Sequence, residues 1–184
     1  MSKVLFSVEG YKKHLEIATI AHRKQKTPMG IPYTYHISCV TIEVINSLMY
    51  SDLSTKEADI SIACALMHDV KEDTKFNLED PELCIDFLIL DGVDALTKKD
   101  TSHLTKLEKM EDSLKRLLLL PTYIQMVKLA DRITNLDKPP EKWSLEKKKI
   151  YLEEAKLIHK TLKHSNKYLA DKLLDKINFY HNYM

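Results

Sequence analysis

The sequence predicts an all-α protein, folded as a single compact helical bundle over residues 1–184. Three observations support this fold class. Apolar residues recur at steps of three and four, the period of a helix that buries one face, and clear period-two alternation is absent. Only three glycines occur, so the turns that many short strands would need are scarce. No heptad pattern persists, which favours a bundle over a coiled coil.

The hydrophobic period places eight helices in chain order, at residues 8–25, 34–50, 55–72, 80–97, 104–119, 122–137, 144–163 and 165–182. Ser54 or Thr55 is placed to cap the third helix, with Glu57 near its first turn. Pro121 suits the first turn of the sixth helix, where an amide hydrogen has no partner in any case. The pair at 139–140, both prolines, ends the region after that helix and begins a short loop.

The charge balance argues against two classes of partner. The chain has 28 basic and 27 acidic residues, and a net charge of +1 gives no long-range attraction to nucleic acid or to an anionic membrane. No apolar run approaches the roughly 20 residues that a membrane helix needs. The first ten residues, MSKVLFSVEG, lack the apolar segment and cleavage site of a signal peptide.

The cysteines predict a reducing compartment. Cys39, Cys64 and Cys84 are widely spaced, lie in apolar segments and form no CxxC pair. That pattern supports neither a zinc knuckle nor a disulfide scaffold. We therefore expect reduced core thiols in a cytoplasmic protein.

A polar cluster ends the helix that looks most buried. The segment Ile62–Thr74 reads IACALMHDVKEDT, an apolar run followed by four ionisable side chains. On one helix, His68 and Glu72 share a face, and Asp69 shares a side with Glu72 and Asp73. Carboxylates that close repel one another, and burial makes each charge costly. A divalent cation would remove the conflict, whereas the plainer alternative is a solvated, charged last turn.

Two further residues are candidate ligands on other helices. His36 lies at the start of an apolar helical run in PYTYHISCV, where a histidine with ordinary core contacts is the alternative. Asp131 lies in the middle of the apolar helix MVKLADRITNL, where an acid must be paired or metal-bound. A salt bridge to Lys128 or Arg132 is the alternative for this acid, and Asn135 shares its face one turn on.

Together these residues form the pattern H…HD…D on three helices, and at this point the chain resembles a known family. It is similar to the HD superfamily of metal-dependent phosphohydrolases. Within it the chain resembles the RelA/SpoT-type hydrolase domain and, more closely, the small stand-alone alarmone hydrolases of the metazoan type. The segments that support the resemblance are AHRKQ (21–25), PYTYH (32–36), ALMHDVKEDT (65–74), LTKKDTSHLTKLEKM (96–110), VKLADRITNL (127–136) and WSLEKKKIYLEEAK (143–156).

The resemblance implies an all-α HD domain that holds one divalent metal ion, usually manganese. It implies that the ion is ligated by His36, His68, Asp69 and Asp131. It also implies that Glu72 and Asp73 position or deprotonate the attacking water. The expected reaction removes the 3′-pyrophosphate of ppGpp or pppGpp, a small-molecule nucleotide, and leaves GDP or GTP.

The implied substrate contacts are Lys26, Tyr33, Lys98, Asn135 and Tyr151. One part of this set departs from the family pattern, because relatives usually carry an Arg-Lys pair before the PY motif. Here Lys26 is followed by threonine and proline, so one cation is missing or is replaced by Arg23 or Lys24. Thr134 also stands where many relatives carry histidine or tyrosine. Loss of a phosphate clamp changes which phosphorylated ligand is held and leaves the metal chemistry in place.

These departures keep two alternatives open. The substrate can be another phosphorylated nucleotide, such as NADPH or a nucleotide monophosphate. The chain can also be a regulatory module that binds a nucleotide without turnover, although such a module has no need of the Glu72-Asp73 pair. The remaining histidines, His22 among them, are assigned structural roles, and residues 147–149 are basic enough to lend charge to a phosphate pocket. The sequence leaves the oligomeric state open.

Overall fold

The computed structural model describes residues 5–99 and 102–184, and it confirms the all-α prediction. The first four residues of the N-terminal segment and Asp100-Thr101 of the 96–110 segment lie outside the described residues. Within the described ranges there is no strand, only an isolated bridge between Lys26 and Pro32. The α-helices are α1 (Val8–Ala21), α2 (Thr34–Leu48), α3 (Thr55–Met67), α4 (Val70–Asp73), α5 (Phe87–Leu96), α6 (Lys106–Leu117), α7 (Thr122–Asn135), α8 (Leu145–Leu162) and α9 (Lys167–Tyr180). Short 3₁₀ turns occur at Pro81–Leu83 and His181–Tyr183.

The third helix begins where the sequence predicts. Ser54 is its cap: the Ser54 hydroxyl accepts the Glu57 amide at 3.3 Å, and the Glu57 carboxylate accepts the Ser54 amide at 2.8 Å. This reciprocal capping box satisfies two amide hydrogens that would otherwise lack partners at the helix start. The position of Pro121 differs by one residue from the prediction, because it is the N-cap of α7 and the first helical residue is Thr122.

Helix α3 runs through the centre of the molecule. It contacts α1, α2, α5 and α7, and residues from 58 to 67 are buried with the exception of Asp59. A helix that is apolar around its whole circumference has to be enclosed in this way. Because α2 and α7 flank it, the C-terminal end of α3 lies where side chains from three helices can meet.

The predicted third helix, residues 55–72, is wrong at its end. Helix α3 ends at Met67, and a separate short helix begins at Val70. The His68 Nδ1 lies 2.8 Å from the Ala65 carbonyl, the group that an uninterrupted helix would offer to the amide of Asp69. Asp69 has φ −102° and ψ 0°, outside the regular helical geometry. The break therefore falls at the His68-Asp69 pair.

Two other predicted helices are shorter than expected. The first ends at Ala21 instead of residue 25, because Gln25 turns to pair its carbonyl with the Tyr33 amide at 3.1 Å. The predicted helix 80–97 covers only Phe87–Leu96, where the Asp86 side chain accepts the Leu88 amide and caps the start.

The expectation of three core thiols is wrong for two of the cysteines. Cys64 is buried, but Cys39 is only half-buried. Cys84 is exposed and has a φ of +46°, a left-handed conformation that follows the 3₁₀ turn and cannot continue a helix. All three cysteines are free, as predicted.

One glycine allows α5 to approach α3 closely. A Cβ atom at Gly92 would lie 2.7 Å from the Cys64 Sγ and 3.1 Å from the Ile124 Cγ2. We expect Gly92→Ala to lower the free energy of unfolding by about 1–3 kcal/mol, the usual cost of overpacking a core. Urea unfolding followed by circular dichroism measures this, and Gly10→Ala is the matched control.

The control has room for its methyl group, because the nearest atoms to a Cβ at Gly10 are those of Ser7 at 3.5 Å. Alanine is the better helix former by up to about 1 kcal/mol, so Gly10→Ala should be neutral or stabilising. A Gly92→Ala variant as stable as the unchanged protein would contradict the close approach of the two helices.

Buried apolar side chains from α1 to α9 form one core cluster in the described residues. The organisation of residues 1–184 as a single domain stays a prediction, which this cluster supports. In the same described ranges, no helix combines the length and the apolar character needed to cross a bilayer.

Candidate active site

Two histidines and an aspartate converge where α2 meets the break between α3 and α4. The Nε2 atoms of His36 and His68 are 3.3 Å apart. The Asp69 Oδ2 lies 3.0 Å from the His68 Nε2 and 3.6 Å from the His36 Nε2. Both histidines are buried, and Asp69 is partly buried. The structure therefore brings together three of the four ligands that the sequence predicts.

Asp131 joins this cluster from α7. Its Oδ1 lies 3.6 Å from the His36 Nε2 and 3.8 Å from the His68 Nε2. Its Oδ2 lies 3.6 Å from the Lys128 Nζ, so the salt bridge weighed as an alternative is also present. The two interpretations are compatible, because each uses a different oxygen of the same buried carboxylate.

The donor set fits a divalent cation. Ligand atoms about 2.1 Å from a shared ion are separated by about 3.0–4.2 Å, the range of the spacings in this cluster. Two carboxylates supply the negative charge that a buried divalent ion requires. The His68 Nδ1 hydrogen-bonds to the Ala65 carbonyl, so its Nε2 faces the cluster, where a divalent ion would replace the proton that the neighbouring carboxylates stabilise. His36, His68 and Asp69 are the residues whose ligand atoms all lie within 4.8 Å of one another, and Asp131, which faces both histidines, stays the predicted fourth ligand.

The charges of the cluster depend on one another. Burial disfavours a charged His68, but the nearby carboxylates of Asp69 and Asp131 outweigh it and raise the pKa of His68 to about 9. Burial likewise opposes ionisation of Asp69, yet the His68 ring and hydrogen bonds from His36, His68 and Tyr33 hold the pKa of this carboxyl well below its usual range. Burial opposes ionisation of Asp131 too, but Lys128 and the His68 ring lower the pKa of this carboxyl. Both acids are therefore ionised at neutral pH and available as ligands.

Two of the predicted substrate contacts touch the ligands directly. The Tyr33 hydroxyl donates to the Asp69 Oδ2 at 2.5 Å, and the Asn135 Nδ2 donates to the Asp131 Oδ1 at 2.5 Å. Burial and the Asp69 charge raise the pKa of Tyr33, so its hydroxyl keeps its proton and remains a donor. These contacts orient the carboxylates. Contact of Tyr33 and Asn135 with substrate stays a prediction.

His68 and the Glu72-Asp73 pair do not lie on one uninterrupted helix as predicted, although the Asp73 amide still donates to the Asp69 carbonyl at 2.9 Å. The Glu72 Oε2 accepts the Lys98 amide at 2.9 Å, and its Oε1 lies 3.3 Å from the Lys98 Nζ. The Asp73 Oδ2 accepts the Gln25 side-chain amide at 2.7 Å. The two acids are thus held by different parts of the chain, Glu72 by the segment after α5 and Asp73 by the segment after α1.

The acid pair lines a cleft of about 670 Å³. Lys98 and Tyr151, two predicted substrate contacts, line it together with Glu72 and Asp73. Burial opposes the charge of Lys98, but the Glu72 carboxylate outweighs this and raises the pKa of Lys98. Five lysines line the cleft: Lys98, Lys99, Lys106, Lys109 and Lys147. Four carboxylates, those of Glu72, Asp73, Glu146 and Glu154, line the cleft as well, so the ammonium groups are in slight excess. Ammonium groups on a concave surface can donate to the oxygens of a polyphosphate.

Lys26 is not among the residues that line the cleft. It is exposed and pairs through its backbone with Pro32, and Arg23 and Lys24 are exposed and absent from the lining as well. The cations around the cleft therefore come from α6, α8 and the segment after α5. The predicted contact of Lys26 with substrate stays a prediction.

Sequence reasoning missed several residues of this region. Lys106 and Lys109 lie in a segment used for the resemblance, but a lysine on an amphipathic helix looks like any solvated residue. Arg132, weighed only as a partner of Asp131, is buried, pairs with Glu154 at 3.1 Å and lies 4.4 Å from the centre of the Tyr151 ring. Arg132 thereby holds the Tyr151 ring in place at the wall of the cleft. The sequence alone could not show this role, because it depends on how α7 packs against α8.

The fold and the site together define the class of protein, a metal-dependent hydrolase of the HD type. None of the protein-family models matches this chain, but individual relatives do. Human "Guanosine-3′,5′-bis(diphosphate) 3′-pyrophosphohydrolase MESH1" is 30% identical over 164 residues, which cover 86% of this chain and 87% of the relative. The Drosophila melanogaster protein of the same name is 30% identical over 165 residues, with 86% and 88% covered. The chain belongs to the MESH1 family.

A solved structure supports the same assignment. The protein described as "a metazoan ortholog of SpoT" that "hydrolyzes ppGpp and plays a role in starvation responses" superimposes with a TM-score of 0.77 at 25% identity. The match covers 98% of this chain and 100% of that structure. The predicted HD-type fold and the resemblance to the metazoan alarmone hydrolases are confirmed.

Proposed function

We propose that this protein hydrolyses guanosine 3′,5′-bis(diphosphate) at its 3′ position, consuming one water and releasing GDP and pyrophosphate. The observation that carries the proposal is the cluster of His36, His68, Asp69 and Asp131 together with a cleft whose lining includes five lysines and the Glu72-Asp73 pair, which follows Asp69 by three and four residues. The names of the relatives supply the nucleotide. The five lysines of the cleft supply a reason why a ligand with two pyrophosphate groups suits it, because their ammonium groups can donate to phosphate oxygens.

The cluster of His36, His68, Asp69 and Asp131 would hold one divalent ion, and we propose manganese because mixed imidazole and carboxylate ligation suits it. When bound, such an ion polarises phosphate oxygens and lowers the pKa of water. Tyr33 and Asn135 keep the two ligand carboxylates oriented by donating to them. The oxygens that accept these hydrogen bonds are the ones that face the two histidines, and the other oxygen of Asp131 faces Lys128.

Glu72 and Asp73 are the proposed proton acceptors for the attacking water. A carboxylate within hydrogen-bond reach of that water can take its proton as the bond to phosphorus forms. Lys98 restrains Glu72 through both its amide and its ammonium group, so the carboxylate is pre-positioned. The cleft lysines balance the negative charge of the departing pyrophosphate, and the Tyr151 ring offers a flat face at the cleft wall.

One observation favours a second candidate substrate. The exposed Lys26 is followed by Thr27 and Pro28 in place of the Arg-Lys pair expected from the family resemblance, and none of these residues lines the cleft. A nucleotide with a different ribose phosphate, such as NADPH, would then be the substrate of the same chemistry. The non-catalytic alternative is disfavoured, since a binding module has no need of the restrained Glu72-Asp73 pair.

The proposed reaction predicts a specific pair of products. Purified protein incubated with Mn²⁺ and ppGpp should release pyrophosphate and GDP in equal amounts, which ion-exchange chromatography and a pyrophosphatase-coupled phosphate assay measure. NADPH and GMP are the parallel substrates. Phosphate release from NADPH or GMP, with none of either product from ppGpp, would support the second candidate. Tight nucleotide binding without any release would support the binding module.

A cytoplasmic location also stays a proposal, which rests on the free cysteines.

A further inference from the structure

A chain of hydrogen bonds leads from a buried histidine to the acid pair. The His22 Nδ1 lies 2.6 Å from the Gln25 Oε1, and the Gln25 Nε2 donates to the Asp73 Oδ2 at 2.7 Å. None of the sequence arguments gave His22 or Gln25 a part in the site. These hydrogen bonds nevertheless end at Asp73, which the proposed function places beside the attacking water.

The Asp73 carboxylate fixes which group donates in each of these hydrogen bonds. A carboxylate only accepts, so Gln25 must present its NH₂ group to Asp73 and its carbonyl oxygen to His22. That oxygen also only accepts, so the His22 Nδ1 must carry the proton. Burial lowers the pKa of His22, although the hydrogen bond to Gln25 opposes this, and a neutral ring with a single N–H matches the arrangement.

His22 reaches the ligand cluster as well. Its ring stacks on the Tyr33 ring with centroids 4.9 Å apart and an interplanar angle of 29°. Tyr33 in turn donates to Asp69. One buried side chain therefore supports both the orientation of Asp73, through Gln25, and the orientation of a ligand carboxylate, through Tyr33.

The backbone of Gln25 is held on both sides. Its amide donates to the His22 carbonyl at 2.8 Å, and its carbonyl accepts the Tyr33 amide at 3.1 Å. The side chain is therefore aimed at Asp73 from a fixed base. The His22 Nε2, in contrast, is buried without a hydrogen-bond partner. A phenylalanine would fill the same space without that cost, so packing alone does not account for a histidine at this position.

We propose that His22 and Gln25 are positioning residues that hold the Asp73 carboxylate in its reactive orientation by a one-directional hydrogen-bond chain. The inference rests on the proposed function in one respect, that the Glu72-Asp73 pair takes part in turnover. Neither residue touches substrate in this scheme, and neither binds the ion.

Gln25→Met tests this directly, because methionine has a similar length and cannot hydrogen-bond to either neighbour. We expect kcat to fall about tenfold to hundredfold, typical of losing an orienting partner, while KM stays within about twofold and the metal content is unchanged. His22→Phe, which keeps the stack on Tyr33, should lower kcat in the same way. His22→Asn, whose side-chain NH₂ group can donate to the Gln25 Oε1 in place of the His22 Nδ1, should recover part of the loss.

The matched control is Gln125→Met, the same chemical change at a buried glutamine whose amide donates to the Leu120 carbonyl outside the cleft. Its kcat should be unchanged, even where its melting temperature falls. An unchanged kcat in Gln25→Met, or an increase in KM alone, would overturn the inference.

A second readout does not use activity. ¹⁵N-edited spectra of the ring should show His22 as the neutral tautomer with its proton on Nδ1, and Gln25→Met should shift that resonance. A proton on Nε2 in the unchanged protein would overturn the hydrogen-bond chain. The kinetic comparison is made on whichever nucleotide is hydrolysed, so inactivity toward ppGpp alone contradicts only the proposed function. A protein that hydrolyses no nucleotide contradicts both.

Discussion

Asp69→Ala is expected to lose its metal ion and its hydrolytic activity together. The Asp69 Oδ2 lies within 3.6 Å of both histidine Nε2 atoms and also accepts the Tyr33 hydroxyl. Its removal leaves His36 and His68 with only Asp131 as an acidic co-ligand. We expect kcat/KM to fall by about three orders of magnitude or more, the equivalent of the several kcal/mol that a metal ion contributes to such a transition state.

The measurement pairs elemental analysis of the purified protein with pyrophosphate release from ppGpp. Asp175→Ala is the matched control, since this exposed acid lies on α9, which contributes no residue to the cluster or the cleft. It should keep one ion per chain and full activity. An Asp69→Ala protein that retains a stoichiometric ion and turns over would show that the cluster is held by other groups.

The part of this site that is local in sequence was predictable. His68 and Asp69 are adjacent, and they follow an apolar run that could only be a buried helix. The burial of Asp131 in α7 followed for the same reason, because its neighbours at helical spacing are apolar. What local pattern could not give is the break at Met67. Uninterrupted helical spacing puts Glu72 beside His68 and Asp73 beside Asp69, whereas the helix is interrupted between Met67 and Val70 and the His68 ring bonds to a helix carbonyl.

The contacts of the site that depend on how the helices pack could not be predicted from the sequence. Nothing in the spacing says that Gln25 meets Asp73 or that Lys98 meets Glu72, since these pairs are 48 and 26 residues apart. Cys84 lies in a segment apolar enough to suggest a helix, yet it occupies a left-handed turn on the surface. The hydrophobic period of the sequence identifies which face of a helix is buried. The conformation of loops and the partners of distant residues depend on tertiary contacts, which the period does not indicate.

Glu72→Ala should separate metal binding from chemistry, because Glu72 contacts Lys98 and none of the residues of the cluster. We expect the ion content to be unchanged and kcat to fall about 10²–10⁴-fold, the usual contribution of a general base.

Glu72→Gln refines this test. The amide can still accept the Lys98 N–H through its oxygen, so the cleft keeps its shape while the proton acceptor is lost. A similar loss in both variants assigns the defect to proton transfer, whereas recovery in Glu72→Gln assigns it to the position of Lys98. The kcat of Asp73→Asn, measured in the same assay, shows how much each of the two acids contributes to proton transfer from the attacking water. Loss of the ion from Glu72→Ala would instead make Glu72 a ligand and overturn its assignment as the base.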